Sequence, residues 1–396
     1  MDYSPALPPE LKDRLARLYR ADEEQAVADL LPQAAFDPQL LRQAQDRAAS
    51  WIGKIRAHKK ALPGIAEMLS HFSLDTKEGI ALMCLAEALL RIPDAATADA
   101  LIRDKMTAAD FEAHLGQDTP WTLRAASWAL NLTGRISGAH EDGHGSASAM
   151  LGLLAGKLGH GAVREAIRMA MRWLGDQFVI GHDIDAAIMR ANKISDARTR
   201  YSYDMLGEGA RTAEDAERYY QSYLNAIDAT ASNNLLYPGH APSGISVKLS
   251  ALHPRYEAAQ AERVYAELVP RLVALAEASA RHDIFMVVDA EEADRLLLSL
   301  GVIEKTLETA KLGAWTGFGL AVQAYQKRAP AIIDAAAHFA QKFQRRMVVR
   351  LIKGAYWDTE IKRAQERGWD EFPVYTRKMT TDVSYLACAR DVAGAW

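Results

Sequence analysis

Apolar residues recur at three- and four-residue spacing through most of the first 180 residues, which is the period of an α-helix. The first 60 residues show this pattern in polar, amphipathic segments such as ELKDRLARLY (10–19) and PQLLRQAQDRAASWIGKIRA (38–57). We interpret residues 1–60 as a helical arm with an oligomerisation role, because a single apolar stripe on a polar helix suits packing on a partner subunit. An ordinary layer of surface helices has the same pattern.

Residues 61–180 are more apolar, and we predict that they form a helical domain. KEGIALMCLAEALLRI (77–92) is apolar nearly all round, which indicates a core helix that ends at Pro93. GAVREAIRMAMRWLGDQFV (161–179) is a second helical run that follows a loop rich in glycine and histidine. His140 and His144 lie four residues apart in that loop, but the glycines around them break a helix, so we expect a solvated loop without metal.

After about residue 185 the pattern changes to short apolar runs that alternate with helices. Five runs are each followed by a helical segment: RYSYDMLGE (200–208), GISVKLSAL (244–252), IFMVVDAEE (284–292), GFGLAVQAY (317–325) and RMVVRLIKGAY (346–356). Strands that are buried on both faces and joined by helices are typical of a parallel α/β sheet. Consecutive units without a visible reversal of strand order favour a (β/α)8 TIM-like barrel over residues 181–396, with a doubly wound sheet as the alternative.

The barrel is expected to be incomplete, since about five of its eight units are present. Half of a barrel would leave parallel strand edges and apolar helix faces uncovered. We therefore interpret the chain as the N-terminal part of a longer protein, with the barrel truncated on its C-terminal side.

Polar side chains stand late in each apolar run, at the end of the strand where a barrel of this kind places its chemistry. They are Asp204, Glu208, Lys248, Asp289, Glu291, Glu292, Gln323, Arg350 and Lys353. Several cations in one pocket favour an anionic ligand, or a redox cofactor that gains negative charge on reduction. A ring of internal salt bridges is the alternative that this pattern leaves open.

Composition narrows the class of protein further. The 396 residues carry 47 Lys+Arg against 51 Asp+Glu, a formal net charge of −4, which argues against nucleic acid as the main partner. Two cysteines suit the reducing cytosol, and both are expected to be buried thiols. No signal peptide, membrane-spanning run, Rossmann glycine motif or P-loop is apparent.

Six stretches of the sheet region resemble the proline dehydrogenase barrel of bacterial proline utilization A. They are DMLGE (204–208), GISVKLSALHPRY (244–256), VVDAEEADRL (287–296), AVQAYQKR (321–328), RLIKGAYWDTEIKRAQ (350–365) and FPVYTRKMTTDVSYLACA (372–389). Residues 78–105 and 169–181 of the helical region are similar to the same family. The resemblance covers essentially the whole chain, in order and at consistent spacing.

The resemblance implies oxidation of L-proline to Δ1-pyrroline-5-carboxylate with FAD, the first step of proline catabolism to glutamate. It also implies electron transfer to a membrane quinone, a cytoplasmic location that leaves peripheral contact with the inner membrane open, and a homo-oligomer. Longer members carry an aldehyde dehydrogenase downstream, and some begin with a ribbon-helix-helix DNA-binding domain. This chain starts directly in the helical arm, so no nucleic acid partner is expected.

Roles at the substrate follow from the same resemblance. Lys248 matches the lysine that pairs with the proline carboxylate, and Asp289 matches the acidic residue that orients the cations of that pocket. Ala355 and Tyr356 match residues that approach the substrate. A point charge such as lysine suits a carboxylate.

Roles at the cofactor are implied in the same way. Arg350 matches the arginine next to the flavin N5, where a fixed cation stabilises negative charge as it forms. The other matched positions are Ala290, Gln323, Lys353, Gly354 and Ala355, with Gln323 at the flavin ring. No metal site is expected.

The chain departs from the family pattern because the segments with an arginine pair for the substrate and a Thr-His step at the flavin are missing. We expect this piece to be inactive alone. Two alternatives remain: a truncated, non-catalytic product that keeps only an oligomerisation role, and a different barrel enzyme that acts on an anionic substrate without flavin.

Overall fold

The computed structural model describes residues 4–58, 179–194, 196–205, 207–237, 239 and 241–395. Two compact units divide the chain: Met1–Asp37 joins Asp183–Trp396 in the first, and Pro38–His182 forms the second. The predicted helical domain, with His140, His144 and Cys84, lies outside the described residues. The predicted boundary at residue 60 stays a prediction, although the structure assigns the first 37 residues to the unit that contains the sheet.

Five strands form one sheet, and helices follow each of them. The strands are β1 (Ser202–Asp204), β2 (Gly244–Val247), β3 (Met286–Val288), β4 (Phe318–Gln323) and β5 (Val348–Ile352). The helices are α1 (Pro9–Leu18), α2 (Glu23–Leu30), α3 (Pro38–His58), α4 (Ile184–Ile194), α5 (Ala213–Leu236), α6 (Leu249–Leu252), α7 (Ala261–Arg281), α8 (Leu296–Thr309), α9 (Ala329–Lys342), α10 (Trp357–Glu366) and α11 (Lys378–Ala395). Short 3-10 turns at Ala258–Gln260 and Ala293–Arg295 precede α7 and α8.

All five strands are parallel, and they lie in the order β1-β2-β3-β4-β5. This order confirms the five predicted strand–helix units and shows no reversal, which a doubly wound sheet would require. The three central strands β2, β3 and β4 are buried along their whole length, whereas β1 is buried only at Tyr203 and β5 is partly exposed. Helices therefore cover the sheet, as the continuous apolar runs predict.

The sheet is strongly curved. A flat sheet would place β1 and β5 about 19 Å apart, at about 4.8 Å for each of four strand spacings. Nevertheless, a guanidinium nitrogen of Arg350 in β5 lies 3.5 Å from the hydroxyl oxygen of Ser202 in β1. Curvature of this degree is that of a barrel wall, so the structure agrees with part of a TIM-like barrel.

The N-terminal helices α1 and α2 pack on the outer helices of the sheet unit. Leu15 of α1 is 1% exposed and belongs to the main hydrophobic core, and α1 contacts α9 while α2 contacts α11. Glu23 begins α2 and accepts hydrogen bonds from the Thr376 amide at 3.0 and 3.1 Å and from the Thr380 hydroxyl at 3.0 Å. The first part of the predicted arm is thus held within its own chain.

Helix α3 belongs to the second unit, and its side chains are exposed from Pro38 to Ala57. Within the described part of the chain, no helix combines the length and the apolar character needed to cross a membrane. Cys388 in α11 is fully buried, as predicted, and burial raises the pKa of its thiol to about 12.

Candidate active site

The carboxyl ends of β1, β2 and β3 bring three of the predicted polar residues to one edge of the sheet. Asp204 is the last residue of β1, Lys248 follows β2 directly, and Asp289 follows β3 directly. The register pairs Val247 with Val288 and Asp204 with Ser246, so Lys248 lies level with Asp289 and two residues beyond the level of Asp204. The sequence predicts only that Asp204, Lys248 and Asp289 lie at the same edge of the sheet, and the structure shows that they are in contact.

Lys248 lies between two carboxylates. Its Nζ donates to both oxygens of Asp204, at 2.8 Å each, and lies 3.0 Å from Asp289 Oδ2. Burial by itself lowers the pKa of Lys248, but the charges of Asp289 and Asp204 outweigh this effect, and the pKa lies above its ordinary value. Lys248 is therefore a fixed cation in this arrangement.

Arg350 stands inside β5, and its charge is matched by the neighbouring strands. One guanidinium nitrogen pairs with Asp289 Oδ1, and the other donates to Ser246 Oγ at 2.6 Å. The carboxylate of Asp289 therefore joins both cations, since its second oxygen faces Lys248. Asp289 thus contacts both cations, and its implied role in orienting them stays a prediction.

Gln323 is fully buried at the end of β4, and its amide links two connections. Its Nε2 donates to the carbonyl oxygen of Glu291 at 2.8 Å, and the amide of Ala355 donates to its Oε1 at 3.1 Å. Gln323 thus ties the segment after β3 to the segment after β5. Its predicted contact with a flavin ring stays a prediction, because in this structure its side chain is covered by the protein.

The segment after β5 presents Lys353, Gly354 and Ala355 at the surface. Lys353 does not join the cation pair at Asp289, because its Nζ bonds Asp382 of α11 at 2.5 Å. Tyr356 donates its hydroxyl to Glu208 at 2.9 Å, and burial, followed by the charge of Glu208, raises its pKa.

Gly354 needs to be glycine for conformational reasons. Its φ is +138°, and a Cβ at this position would lie 2.6 Å from the ring of Tyr325. The Tyr325 hydroxyl in turn accepts from the Tyr356 amide at 3.3 Å. The absence of a side chain therefore lets the chain pass over a buried aromatic ring and enter α10.

Glu291 and Glu292 form a different cluster, centred on Arg295. Arg295 lies 3.0 Å from Glu291 and 2.9 Å from Glu292, and the buried Glu291 also accepts from the Ser250 amide at 2.9 Å. Burial raises the pKa of Glu291. Internal salt bridges were the alternative to a ligand site in the sequence analysis. Glu291 and Glu292 do form such salt bridges, behind the strand ends.

A small cavity beside this cluster has room for about one water molecule. Its walls include the predicted site residues Asp289, Ala290 and Gln323, but neither Lys248 nor Arg350 lines it. A substrate or cofactor would therefore have to use the open side of the strand ends, where Arg350 is 32% exposed.

Two serines that contact Arg350 are absent from the residues singled out in the sequence. Ser202 and Ser246 lie 2.8 Å apart through their hydroxyls, next to the Arg350 guanidinium. The sequence does contain a signal for these serines. Ser202 stands two residues before Asp204, and Ser246 stands two residues before Lys248, so each serine lies on the same strand face as a predicted site residue. Asp382, the partner of Lys353, has no such signal, because it lies in α11, 29 residues away in sequence.

Comparisons with known proteins give matches over most of the chain. The sequence model of the family described as proline dehydrogenase matches residues 187–395. Models described as the proline utilization A proline dehydrogenase N-terminal domain and as a DNA-binding domain of proline dehydrogenase match residues 10–56 and 64–178. The match to residues 64–178 lies wholly in residues that the structure does not describe.

Similar full-length proteins are much longer than this chain. The Bifunctional protein PutA of Salmonella typhimurium is 48% identical over 94% of this chain and 28% of its own length, and that of Escherichia coli is 46% identical over 98% and 30%. A crystal structure of a Bradyrhizobium japonicum Proline Utilization A mutant is 47% identical, with a TM-score of 0.66, over 95% of this chain and 37% of its own. The chain therefore spans about a third of the length of these relatives.

The family model matches more than half of the chain and includes all five strands and all the residues of the Lys248–Asp289–Arg350 arrangement. The chain therefore belongs to the proline dehydrogenase family.

Proposed function

We propose that this chain, as part of a longer protein, forms the substrate and cofactor side of an FAD-dependent proline dehydrogenase, which oxidises L-proline to Δ1-pyrroline-5-carboxylate. The observation that carries the proposal is the shared carboxylate of Asp289, which holds Lys248 and Arg350 side by side at the strand ends. One of these cations suits the carboxylate of an amino acid, and the other suits a cofactor that gains negative charge.

Lys248 supplies the substrate contact. Its Nζ is a compact cation on a side chain that is 12% exposed, so an incoming carboxylate would meet it in a largely dehydrated place. Charge-assisted hydrogen bonds in such places are stronger than those between neutral groups. Ala355 and the half-buried Tyr356 would complete the substrate side from the segment after β5.

The residues present fit an FAD at the open side of the strand ends. The site combines the partly exposed guanidinium of Arg350, the exposed Lys353, the half-buried Ala290, and the backbone at Gly354 and Ala355, which carries little side chain. When bound, FAD supplies the acceptor for the hydride that leaves proline. Arg350 provides positive charge near that acceptor, Asp289 holds Arg350 in place, and Gln323 fixes the backbone of Ala355.

The remaining expectations are part of the same proposal. The electrons pass to a quinone at the membrane surface, the protein is a cytoplasmic homo-oligomer, and an aldehyde dehydrogenase follows in the complete protein. The matched description of residues 64–178 names DNA binding, whereas the near-neutral composition predicts no nucleic acid partner. A gel-shift assay on the complete protein, with its own promoter region as the probe, decides between these two.

The experiment for the main proposal is anaerobic addition of L-proline to the complete protein loaded with FAD. We expect loss of the oxidised flavin absorbance together with formation of Δ1-pyrroline-5-carboxylate. A colourless protein, or a flavin that L-proline does not reduce, would contradict the proposal. A colourless protein that still acts on an anionic substrate would favour the barrel enzyme without flavin.

A second experiment compares the 396-residue chain alone with the complete protein. We expect it to show no dye-linked proline oxidation with added FAD, because the family's arginine pair lies outside this sequence. Robust turnover by this chain would refute that expectation, and a complete protein without activity would favour the non-catalytic alternative.

A further inference from the structure

The three N–H donors of the Lys248 ammonium are all taken up by carboxylate oxygens of the protein. Two face Asp204, at 2.8 Å each, and one faces Asp289 at 3.0 Å. A ligand carboxylate can therefore reach Lys248 well only if one of these two partners gives up its place.

The two carboxylates differ in how firmly they are held. Asp289 is 11% exposed, pairs with Arg350 as well as Lys248, and has its backbone amide bonded to the Val247 carbonyl at 2.8 Å. Asp204 is 40% exposed, and within the described part of the chain its carboxylate bonds only Lys248. Asp204 is thus the partner that can turn away into water, because it has one ion pair to break, whereas Asp289 has two.

Charge balance points the same way. Lys248 and Arg350 carry two positive charges, and Asp204 and Asp289 carry two negative ones, so the cluster is neutral. A bound carboxylate would leave it with an uncompensated negative charge unless one carboxylate moves away. Departure of Asp204 restores neutrality and leaves the Asp289 bridge to Arg350 intact.

We propose that Asp204 occupies the place of the substrate carboxylate on Lys248 and is displaced when substrate binds. The inference rests on the proposed function, since it takes Lys248 as the carboxylate site. Asp204 thereby lowers the affinity of the site for every carboxylate ligand, because each ligand has to break an existing ion pair first.

The test is isothermal titration calorimetry of the complete, FAD-loaded protein with cyclopentanecarboxylate, which has the ring and carboxylate of proline but no amine. Asp204→Asn and Asp204→Ala remove the competing charge, and we expect both to lower the Kd for cyclopentanecarboxylate about threefold to fivefold, because the ligand no longer has to break the Asp204 ion pair. Asp196→Asn, which neutralises an exposed carboxylate paired with Arg198, is the matched control and should leave the Kd unchanged.

A gain in affinity cannot come from a damaged fold, so it separates displacement from a structural role. If Asp204 instead orients Lys248 for the ligand, both variants raise the Kd, and the inference is overturned. An unchanged Kd overturns it as well. Neutral cyclopentanecarboxamide should show no gain, and an equal gain with this amide would show that charge is not the cause.

The failure of this inference is distinguishable from the failure of the proposed function. If L-proline reduces the flavin of the unaltered protein but the Asp204 variants bind cyclopentanecarboxylate no more tightly, only the inference about Asp204 fails. If L-proline does not reduce the flavin, the proposed function fails, whatever the calorimetry shows.

Discussion

Arg350 carries a full charge in a strand that otherwise consists of Val348, Val349, Leu351 and Ile352. A charge in such a place is costly unless it is paired and hydrogen-bonded. Asp289 and Ser246 provide both kinds of contact from other strands. The charge of Arg350 is therefore paired within the sheet. The part of its side chain that stays exposed, 32%, lies on the open side where a ligand would bind.

Arg350→Met tests whether this charge acts on the cofactor. We expect the rate of flavin reduction by L-proline to fall about tenfold to hundredfold, because one fixed charge near the developing negative charge is lost. The measurement is stopped-flow absorbance of the flavin in the complete protein. Arg346→Met, at an exposed position just before β5, is the control, and reduction at the unaltered rate in Arg350→Met would refute the role.

Lys248→Ala tests the carboxylate contact. We expect the affinity for L-proline to fall by ~2–3 kcal/mol, since a charge-assisted hydrogen bond is lost and Asp204 and Asp289 are left to repel the ligand. Equilibrium titration of a reduced, inactive flavin state with L-proline measures the Kd. Lys305→Ala, which removes an exposed lysine from α8, should leave the affinity unchanged; an equal loss in both variants would contradict the prediction.

For single residues, the sequence predicts where in the fold a side chain lies better than it predicts which side chain it bonds. Lys248 and Asp289 can be placed at the ends of two neighbouring strands from the apolar runs, and their contact follows from parallel register. The bonds of Arg350 to Ser246 and of Lys353 to Asp382 depend on sheet curvature and on where α11 lies. Neither quantity is encoded in the local pattern around these residues.

The connection from β5 to α10 shows how an element end shapes the site. Gly354 takes a positive φ over the Tyr325 ring, and the following Tyr356 amide bonds the Tyr325 hydroxyl. The buried ring of Tyr325 therefore supports the backbone on both sides of Ala355 and fixes its path. Local sequence predicts a bend at Lys353-Gly354, but the ring beneath it comes from the connection after β4.

Gly354→Ala should therefore destabilise the protein more than an ordinary substitution of a glycine with positive φ. We expect a loss of about 1–3 kcal/mol in the free energy of unfolding beyond that of Gly368→Ala, measured by urea denaturation. Gly368 also has a positive φ, of 61°, but a Cβ there would meet nothing within 4 Å. Equal losses in the two variants would show that the Tyr325 ring yields without cost.

Element types were well predicted because the apolar runs are long and bounded by polar segments. In the structure a capping box formed by Thr212 and Asp215 begins α5. The short helix α6 is different, since Leu249–Leu252 reads as the continuation of the β2 run. Strand and helix are not distinguishable in four buried apolar residues.

The position of the N-terminal segment is a property of the whole unit. Lys327 is fully buried and donates to the Ala21 carbonyl at 2.6 Å and to Glu371 at 3.0 Å. Such contacts tie residues before α2 to the segments after β4 and α10. The amphipathic pattern of α1 predicts an apolar face but does not say that helices of the same chain cover it.

Leu15→Ala should consequently weaken the sheet unit itself. We expect the free energy of unfolding to fall by ~2–4 kcal/mol, since a fully buried leucine is truncated in a packed core. Urea denaturation followed by tryptophan fluorescence measures the loss, and Leu41→Ala on the exposed α3 is the control. An unchanged sheet transition in Leu15→Ala would show that the N-terminal helices are energetically independent.

The distance in sequence between Glu23 and Thr376, 353 residues, has a consequence for biosynthesis. Each strand pairs with the strand that precedes it in the chain, so the sheet can grow during translation from β1 to β5. The first helices to leave the ribosome, in contrast, dock on segments that are made late, since α1 contacts α9 and α2 contacts α11. The N-terminal segment is therefore the earliest part to be synthesised and among the last to be fixed in place.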